Sequence, residues 1–205
     1  GDVIAYVRGP IKDILRAERV TLNFLARLSG VASLVAKYVQ ELKGTKCKVI
    51  DTRDTMPYLK NLERSAFVHG GGENGQANLS ERVVIRDNHI ANVDSIRQAV
   101  DICKKKCPRN TKIEVEVETK EEFIDALESN CDVIILDNMS NEQMKELVSL
   151  NNASKILVAK GNINPQKARS VALTGVDYLM VSSLNSSYKA LDITMKFYKV
   201  ARFKM

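Results

Sequence analysis

After Gly44 the chain settles into an alternation that few folds can use: short apolar runs, most of them followed by a helical stretch. Seven runs read as strands: Lys48 to Asp51, Ala66 to His69, Val83 to Ile85, Lys112 to Val117, Val133 to Leu136, Ile156 to Ala159 and Tyr178 to Val181. Helical stretches occur at Val93 to Lys106, Lys120 to Glu128, Asn141 to Leu150 and Gln166 to Leu173. This rhythm is that of a parallel sheet with its helices outside, and the spacing leaves no room for a second domain between the units. The expected fold is an α/β barrel of seven strands, open or incomplete relative to eight. Chemistry in such barrels sits at the C-terminal ends of the strands. Those ends carry Arg53, Arg86-Asp87-Asn88-His89, Glu116 and Glu118, Asp137-Asn138, Lys160-Gly161 and Ser182-Ser183.

The first forty-odd residues have a different period. From Ile11 to Leu42 apolar residues recur at steps of three and four, predicting two or three helices with a bend at Ser29-Gly30. Ahead of them, Val3, Ala5 and Val7 alternate like an edge strand closed by Gly9-Pro10, which needs partners from an upstream domain. The expected organisation is therefore a remnant of an N-terminal domain with connecting helices over 1–44, the barrel over 45–188, and a C-terminal helix over 189–205. A chain of 205 residues, 44% hydrophobic, supports one sizeable core. Its net charge of +6 is spread among interspersed acids and bases, which suits an anionic small molecule and demands no broad nucleic-acid or membrane surface. Four cysteines without a framework spacing read as reduced thiols of an intracellular compartment, cytoplasm or organelle matrix. Cys103 and Cys107 share a helix face but lack the further ligands a metal would need.

Residues 51–89, DTRDTMPYLKNLERSAFVHGGGENGQANLSERVVIRDNH, crowd charges, a triple glycine and an apolar strand into one stretch. The stretch resembles the signature region of the quinolinate phosphoribosyltransferase family, also called carboxylating nicotinate-nucleotide diphosphorylases. That family reads roughly DTRKT-x-PG-x-R, then GGG-x-NHR-x-x-L, then IKDNH. AERVTLNFLARLSGVASL, ILDN and IEVEVE extend the resemblance over essentially the whole chain. It implies an incomplete TIM-like barrel of the type II phosphoribosyltransferase kind and a homo-oligomer or larger complex with sites completed across subunits. It also implies Mg2+ if the protein is active, and otherwise no cofactor.

By the same resemblance Arg19, Arg53, Arg86, Glu116 and Asp137 are the catalytic set. Arg19 and Arg53 grip the acid's carboxylates, Arg19 from a neighbouring subunit, and Glu116 and Asp137 hold metal and ribose hydroxyls. His89, Lys160, Gly161 and Ser182 join Arg19 and Arg53 as substrate-binding positions, although a histidine after Asp-Asn also reads as a structural hydrogen-bonding residue.

Several contact positions depart from the pattern. Asp54 stands where the family has lysine, and Gly75 and Gln76 stand where it has histidine and arginine. Lys160, Asn162 and Ser186 alter the phosphate loops. Reversing one charge about 4 Å from an anion costs roughly 4 kcal/mol or more at an effective dielectric near 20. These departures imply a catalytically impaired or inactive homologue kept as a structural or interaction subunit, its pocket plugged by an Asp54–Lys160 ion pair. The alternative is an active enzyme of NAD biosynthesis that makes nicotinate mononucleotide, CO2 and pyrophosphate from quinolinate and phosphoribosyl pyrophosphate. A third class, a nucleic-acid or acidic-partner module, would use Lys104, Lys105, Lys106, Arg109 and the tail from Phe197 to Met205.

Overall fold

The computed structural model describes residues 1–52, 54–75, 82–181 and 187–198. The elements run α1 (Ile11–Glu41), β1 (Lys48–Ile50), α2 (Lys60–His69), β2 (Arg82–Ile85), α3 (Asp87–Ile90), α4 (Ile96–Lys106), β3 (Lys112–Val117) and α5 (Lys120–Leu127). They continue β4 (Val133–Asp137), α6 (Asn141–Asn151), β5 (Ile156–Gly161), α7 (Pro165–Ala172) and β6 (Tyr178–Val181). All strand pairings are parallel, in the order β1-β6-β5-β4-β3-β2. Ladder strands that switch direction nowhere, with helices between them, give the α/β architecture expected from the sequence.

Alternate side chains on these strands divide the sheet into two faces. On one, Val115, Val117, Ile134, Leu136, Leu157, Ala159 and Leu179 join residues of α4 to α7 in the main apolar cluster. On the other, Ile50, Val133, Ile135 and Val158 form a separate small cluster with Val84, Tyr178 and Met180 against it. An inner cluster closed off from the helix layer is the interior of a curled sheet. The helices start where their caps say: Ser95, Thr119, Ser140 and Asn164 each accept a bond from the backbone N–H three residues on.

Four expectations change. Ala66 to His69 is helix rather than strand, so six strands are formed among the described residues. Glu63, Ala66 and Phe67 are the buried positions of α2, steps of three and four that a four-residue window hides. Beyond α2 it is Glu73 that pairs with the outer edge of β1: its N–H donates to Val49 O (2.8 Å) and its carbonyl accepts from Asp51 N–H (3.4 Å). The helical region after Pro10 is one helix of 31 residues. Gly30 lies within it without a break, and its lack of a side chain lets the Lys189 backbone approach, since a Cβ would come 2.4 Å from Lys189 O.

Residues 2–8 are exposed and form no strand. Nor do residues 188–198 form the expected helix. Residues 188–191 lie against α1, where Leu191 N–H donates to Ala26 O (3.1 Å) and the Tyr188 ring lies 4.7 Å from the Arg27 guanidinium carbon. No helix among the described residues is long and apolar enough to cross a membrane.

Candidate active site at the strand ends

The inner face carries charge in layers. Deepest lies Glu114, 1% exposed and bound by Arg82 at 2.5 Å. One pleat further along β3, Glu116 again points inward. Asp137 ends β4, and Lys160 is its register partner on β5. Adjacent strands lie about 4.8 Å apart, so the Lys160 stem reaches both acids. Its Nζ donates to Glu116 Oε1 (2.7 Å) and Asp137 Oδ2 (3.1 Å). The three side chains are only 18%, 12% and 11% exposed. Arg86, at the end of β2, brings Nε within 3.5 Å of Glu116 Oε2, an ion pair without a hydrogen bond. Glu116 Oε2 and Asp137 Oδ1 are buried and accept no hydrogen bond.

Burial raises the Glu116 carboxyl above its ordinary value, Asp137 adds to the rise, and Lys160 and Arg86 oppose it. Burial works against the Lys160 ammonium, but its bonds to the two acids outweigh it and the amine is held above its usual range. Lys160 is therefore a fixed cation at this end of the sheet. Lys160 thus pairs with Glu116 and Asp137 rather than with the expected Asp54.

The divalent cation that the resemblance implies fits this arrangement poorly. Mg2+ asks for near-octahedral oxygen ligands, and two unbonded carboxylate oxygens are present. But an ammonium about 4 Å from a divalent ion repels it by roughly 8 kcal/mol at an effective dielectric near 20. The two acids are already matched by Lys160 and Arg86. Among the described residues no group of three or more His, Cys, Asp or Glu is placed to hold a metal.

The remaining expected positions divide. His89 lies in α3, where its Nδ1 accepts the Arg86 N–H at 3.1 Å and so closes the turn. Gly161 has φ +146°, and a Cβ there would come 2.7 Å from Asn138 Oδ1, so this glycine serves close packing of two strand-end loops. Asn162 is exposed beside it.

Gly75 donates its N–H to Asp51 Oδ1, and Asp51 is also held by Arg64 Nε at 3.0 Å. The first residue of the DTR motif is thus a structural clamp. Asp54 is exposed on a cleft of about 20 Å³ whose lining includes Asp51, Thr52, Glu63, Arg64 and Phe67. Arg19 lies on the exposed half of α1, which docks through Gly30, Val31, Val35 and Tyr38. At 1.5 Å per residue it stands about 16 Å before that docked half, and the structure does not bring it to the strand-end charges. Arg53, Gln76, Ser182 and Ser186 lie outside the described residues, as does 199–205 of the basic tail. Lys104 of the proposed nucleic-acid patch is paired with Asp132 at 3.2 Å.

Two groups escaped the sequence reading. Arg82–Glu114 was legible, since IEVEVE alternates with period two and places Glu114 on the same face as Glu116. Arg27, which donates to Glu63 Oε1 at 2.6 Å and to the Tyr188 hydroxyl, joins residues far apart in sequence and left no local signal.

A parallel α/β sheet with charged residues gathered at its C-terminal strand ends is the α/β class that places chemistry there, and its likeness to known proteins gives the family. The family model "Quinolinate phosphoribosyl transferase, C-terminal domain" matches residues 31–196. The chain belongs to the quinolinate phosphoribosyltransferase family. It is 37% identical over 195 residues to a protein of Bacillus subtilis named probable nicotinate-nucleotide pyrophosphorylase (carboxylating), covering 95% of this chain and 68% of that one. It is 34% identical over 196 residues to the nicotinate-nucleotide pyrophosphorylase (carboxylating) of Mycobacterium leprae, covering 94% and 69%. The crystal structure of NadC from Streptococcus pyogenes superposes with a TM-score of 0.87 at 39% identity, over 92% of this chain and 66% of that one. The chain thus spans about two thirds of the length of these relatives.

Proposed function

We propose that this chain carries the phosphoribosyl-transfer site of a carboxylating nicotinate-nucleotide pyrophosphorylase, joining quinolinate to the ribose of phosphoribosyl pyrophosphate with loss of pyrophosphate and CO2. The observation that carries the reading is the pair Glu116 and Asp137, held at the strand ends within a fold shared with relatives of that name. In this reading the pyridine nitrogen displaces pyrophosphate at the ribose carbon. Positive charge develops on the sugar there, and carboxylates fixed in a poorly solvated pocket stabilise it without reorganising. In this reading Glu116 Oε2 and Asp137 Oδ1, which accept no hydrogen bond although Arg86 lies 3.5 Å from the former, take the ribose hydroxyls.

Arg86, with Arg53 of the same chain, meets the negative reactants. Arg19 stands clear of its own chain's strand ends on an exposed helix, a place suited to completing the site of a neighbouring copy in a homo-oligomer. The protein's own cation at this centre is Lys160, and no step here runs through a metal.

A second reading, an impaired homologue retained as a structural or interaction subunit, is favoured by that same lysine. Its ammonium binds both acids, and Asp54 shares its cleft with Asp51 and Glu63. Both readings meet in one assay of the full-length protein with quinolinate and phosphoribosyl pyrophosphate. Formation of nicotinate mononucleotide that falls at least tenfold in Glu116→Gln establishes the first. A rate indistinguishable from the uncatalysed one, in a protein that is folded and oligomerically intact, establishes the second.

A further inference from the structure

Lys160 is placed where a bound cation would be most useful to the two acids. Glu116 and Asp137 come from neighbouring strands, each with one oxygen on the Lys160 ammonium and one that accepts no hydrogen bond. A lone lysine at a barrel mouth ordinarily extends into water, since its ammonium is strongly hydrated on a flexible stem. This one is 18% exposed and folded back onto carboxylates that are nearly as buried. Arg86 supplies a second positive charge from the other side of Glu116. Two positive charges against two negative ones leave no net charge to attract a divalent ion.

We propose that Lys160 is a built-in counter-ion that occupies the cation place between Glu116 and Asp137, so that this centre excludes divalent metal ions as long as the lysine stands there. Shortening or neutralising Lys160 leaves the two buried carboxylates with Arg86 alone against them, one negative charge in excess. Such a pair takes up a divalent cation to restore the balance. The inference concerns the charge content of the centre and does not rest on turnover, so it survives or fails separately from the assay above.

The test uses the full-length protein and Mn2+ alone, monitored by the loss of the free-ion electron paramagnetic resonance signal. Wild type is expected to show no site-specific Mn2+ uptake, and Lys160→Ser to bind one equivalent at least tenfold more tightly. Glu116→Gln in the Lys160→Ser background removes the gain. Lys160→Met keeps the stem and drops the charge, so it reports the same gain should the serine variant fold poorly. Thermal melts give a second readout: added Mg2+ raises the Tm of the Lys160 variants and leaves that of wild type in place. One equivalent of Mn2+ bound equally by wild type and both lysine variants, and weakened by Glu116→Gln, overturns the proposal. So does a folded Lys160 variant that gains no Mn2+ at all.

Discussion

The two faces of strands β3 to β5 differ in what they tolerate. Toward the helices stand Val115, Val117, Ile134, Leu136, Leu157 and Ala159, none more than 1% exposed. Toward the interior the same strands carry Glu114, Glu116, Asp137 and Lys160 among a few aliphatics. The helix-facing side gains stability from apolar area, roughly 25 cal/mol per Å² removed from water, and any polar atom there would need a partner. The interior side holds charges that are satisfied by one another, and exchanging one for another disturbs the balance of charge more than the packing. Fold and charge pattern are therefore separable on one sheet.

The comparison is broken most directly by truncation on each side. Phe123 of α5 is fully buried in the helix-side cluster, and Phe123→Ala is expected to cost about 3–5 kcal/mol. Val158→Ala, in the small interior cluster, should cost less than half as much. Urea midpoints at unchanged slope read both, and equal losses would show that the two faces share the work. Next in size is Glu114→Ala. It takes this carboxylate from Arg82, whose side chain is 30% exposed and can turn toward water, so the loss should be roughly 2 kcal/mol, below the cost of breaking a fully buried pair. A loss as large as that of Phe123→Ala would mean that interior charge, too, is part of what holds the sheet together.

How much of this was legible before the structure divides along the same line. The helix-facing alternation of β3, β4, β5 and β6 set their positions to within a residue or two, because burial on one face imposes a period. The triple glycine was visible as a motif but its reason was not: a Cβ on Gly72 would lie 2.0 Å from the Phe67 ring, and one on Gly70 2.5 Å from Ala32 O of α1. Such contacts join segments that sequence patterns do not connect. Ala66 to His69 misled because Phe67-Val68 looks β-like, while the buried Glu63 one turn earlier in α2 is fixed by Arg27, which comes from another helix. At the site, the acids were legible as types at strand ends. Lys160 was legible as a cation that fills the site, but its partners were not, since they depend on register between β4 and β5.

Thiol reactivity gives a smaller contrast on the same lines. Burial, with help from Asp177, pushes the Cys47 thiol up to about 12, and burial also raises Cys131. Both are in the helix-side cluster, whereas Cys103 and Cys107 are half-buried. Burial raises the Cys103 thiol as well, but Cys103 and Cys107 are only partly covered, so in mildly alkaline buffer Ellman's reagent should titrate only these two in the native protein. Cys47 and Cys131 should react only on unfolding. Rapid native labelling of Cys47 would mean that the helix layer opens far more readily than its packing implies.

The smallest expected effect lies at the opposite end of the sheet from the acids of the site. Asp132 precedes β4, and its carboxylate accepts the Ile113 N–H (2.9 Å) and bonds from Lys104 and Lys112 (3.2 Å each). Burial alone would raise its pKa, but the Ile113 N–H and the two lysines outweigh this and hold it below the ordinary 3.8. A carboxyl whose folded pKa is depressed stabilises the fold above its unfolded value and loses that contribution as pH falls through the folded one. Asp132→Asn should therefore cost about 1 kcal/mol at neutral pH. The gap between wild type and variant should stay constant down to about pH 5 and close below about pH 4. Denaturant melts at a series of pH values measure that difference directly, and carboxyls common to both proteins cancel from it. A gap that widens on acidification, or one that begins to close near neutrality, would place the proton on some other group. It would also remove Asp132 from the set of charges that, like those of the interior, are satisfied by their neighbours rather than by water.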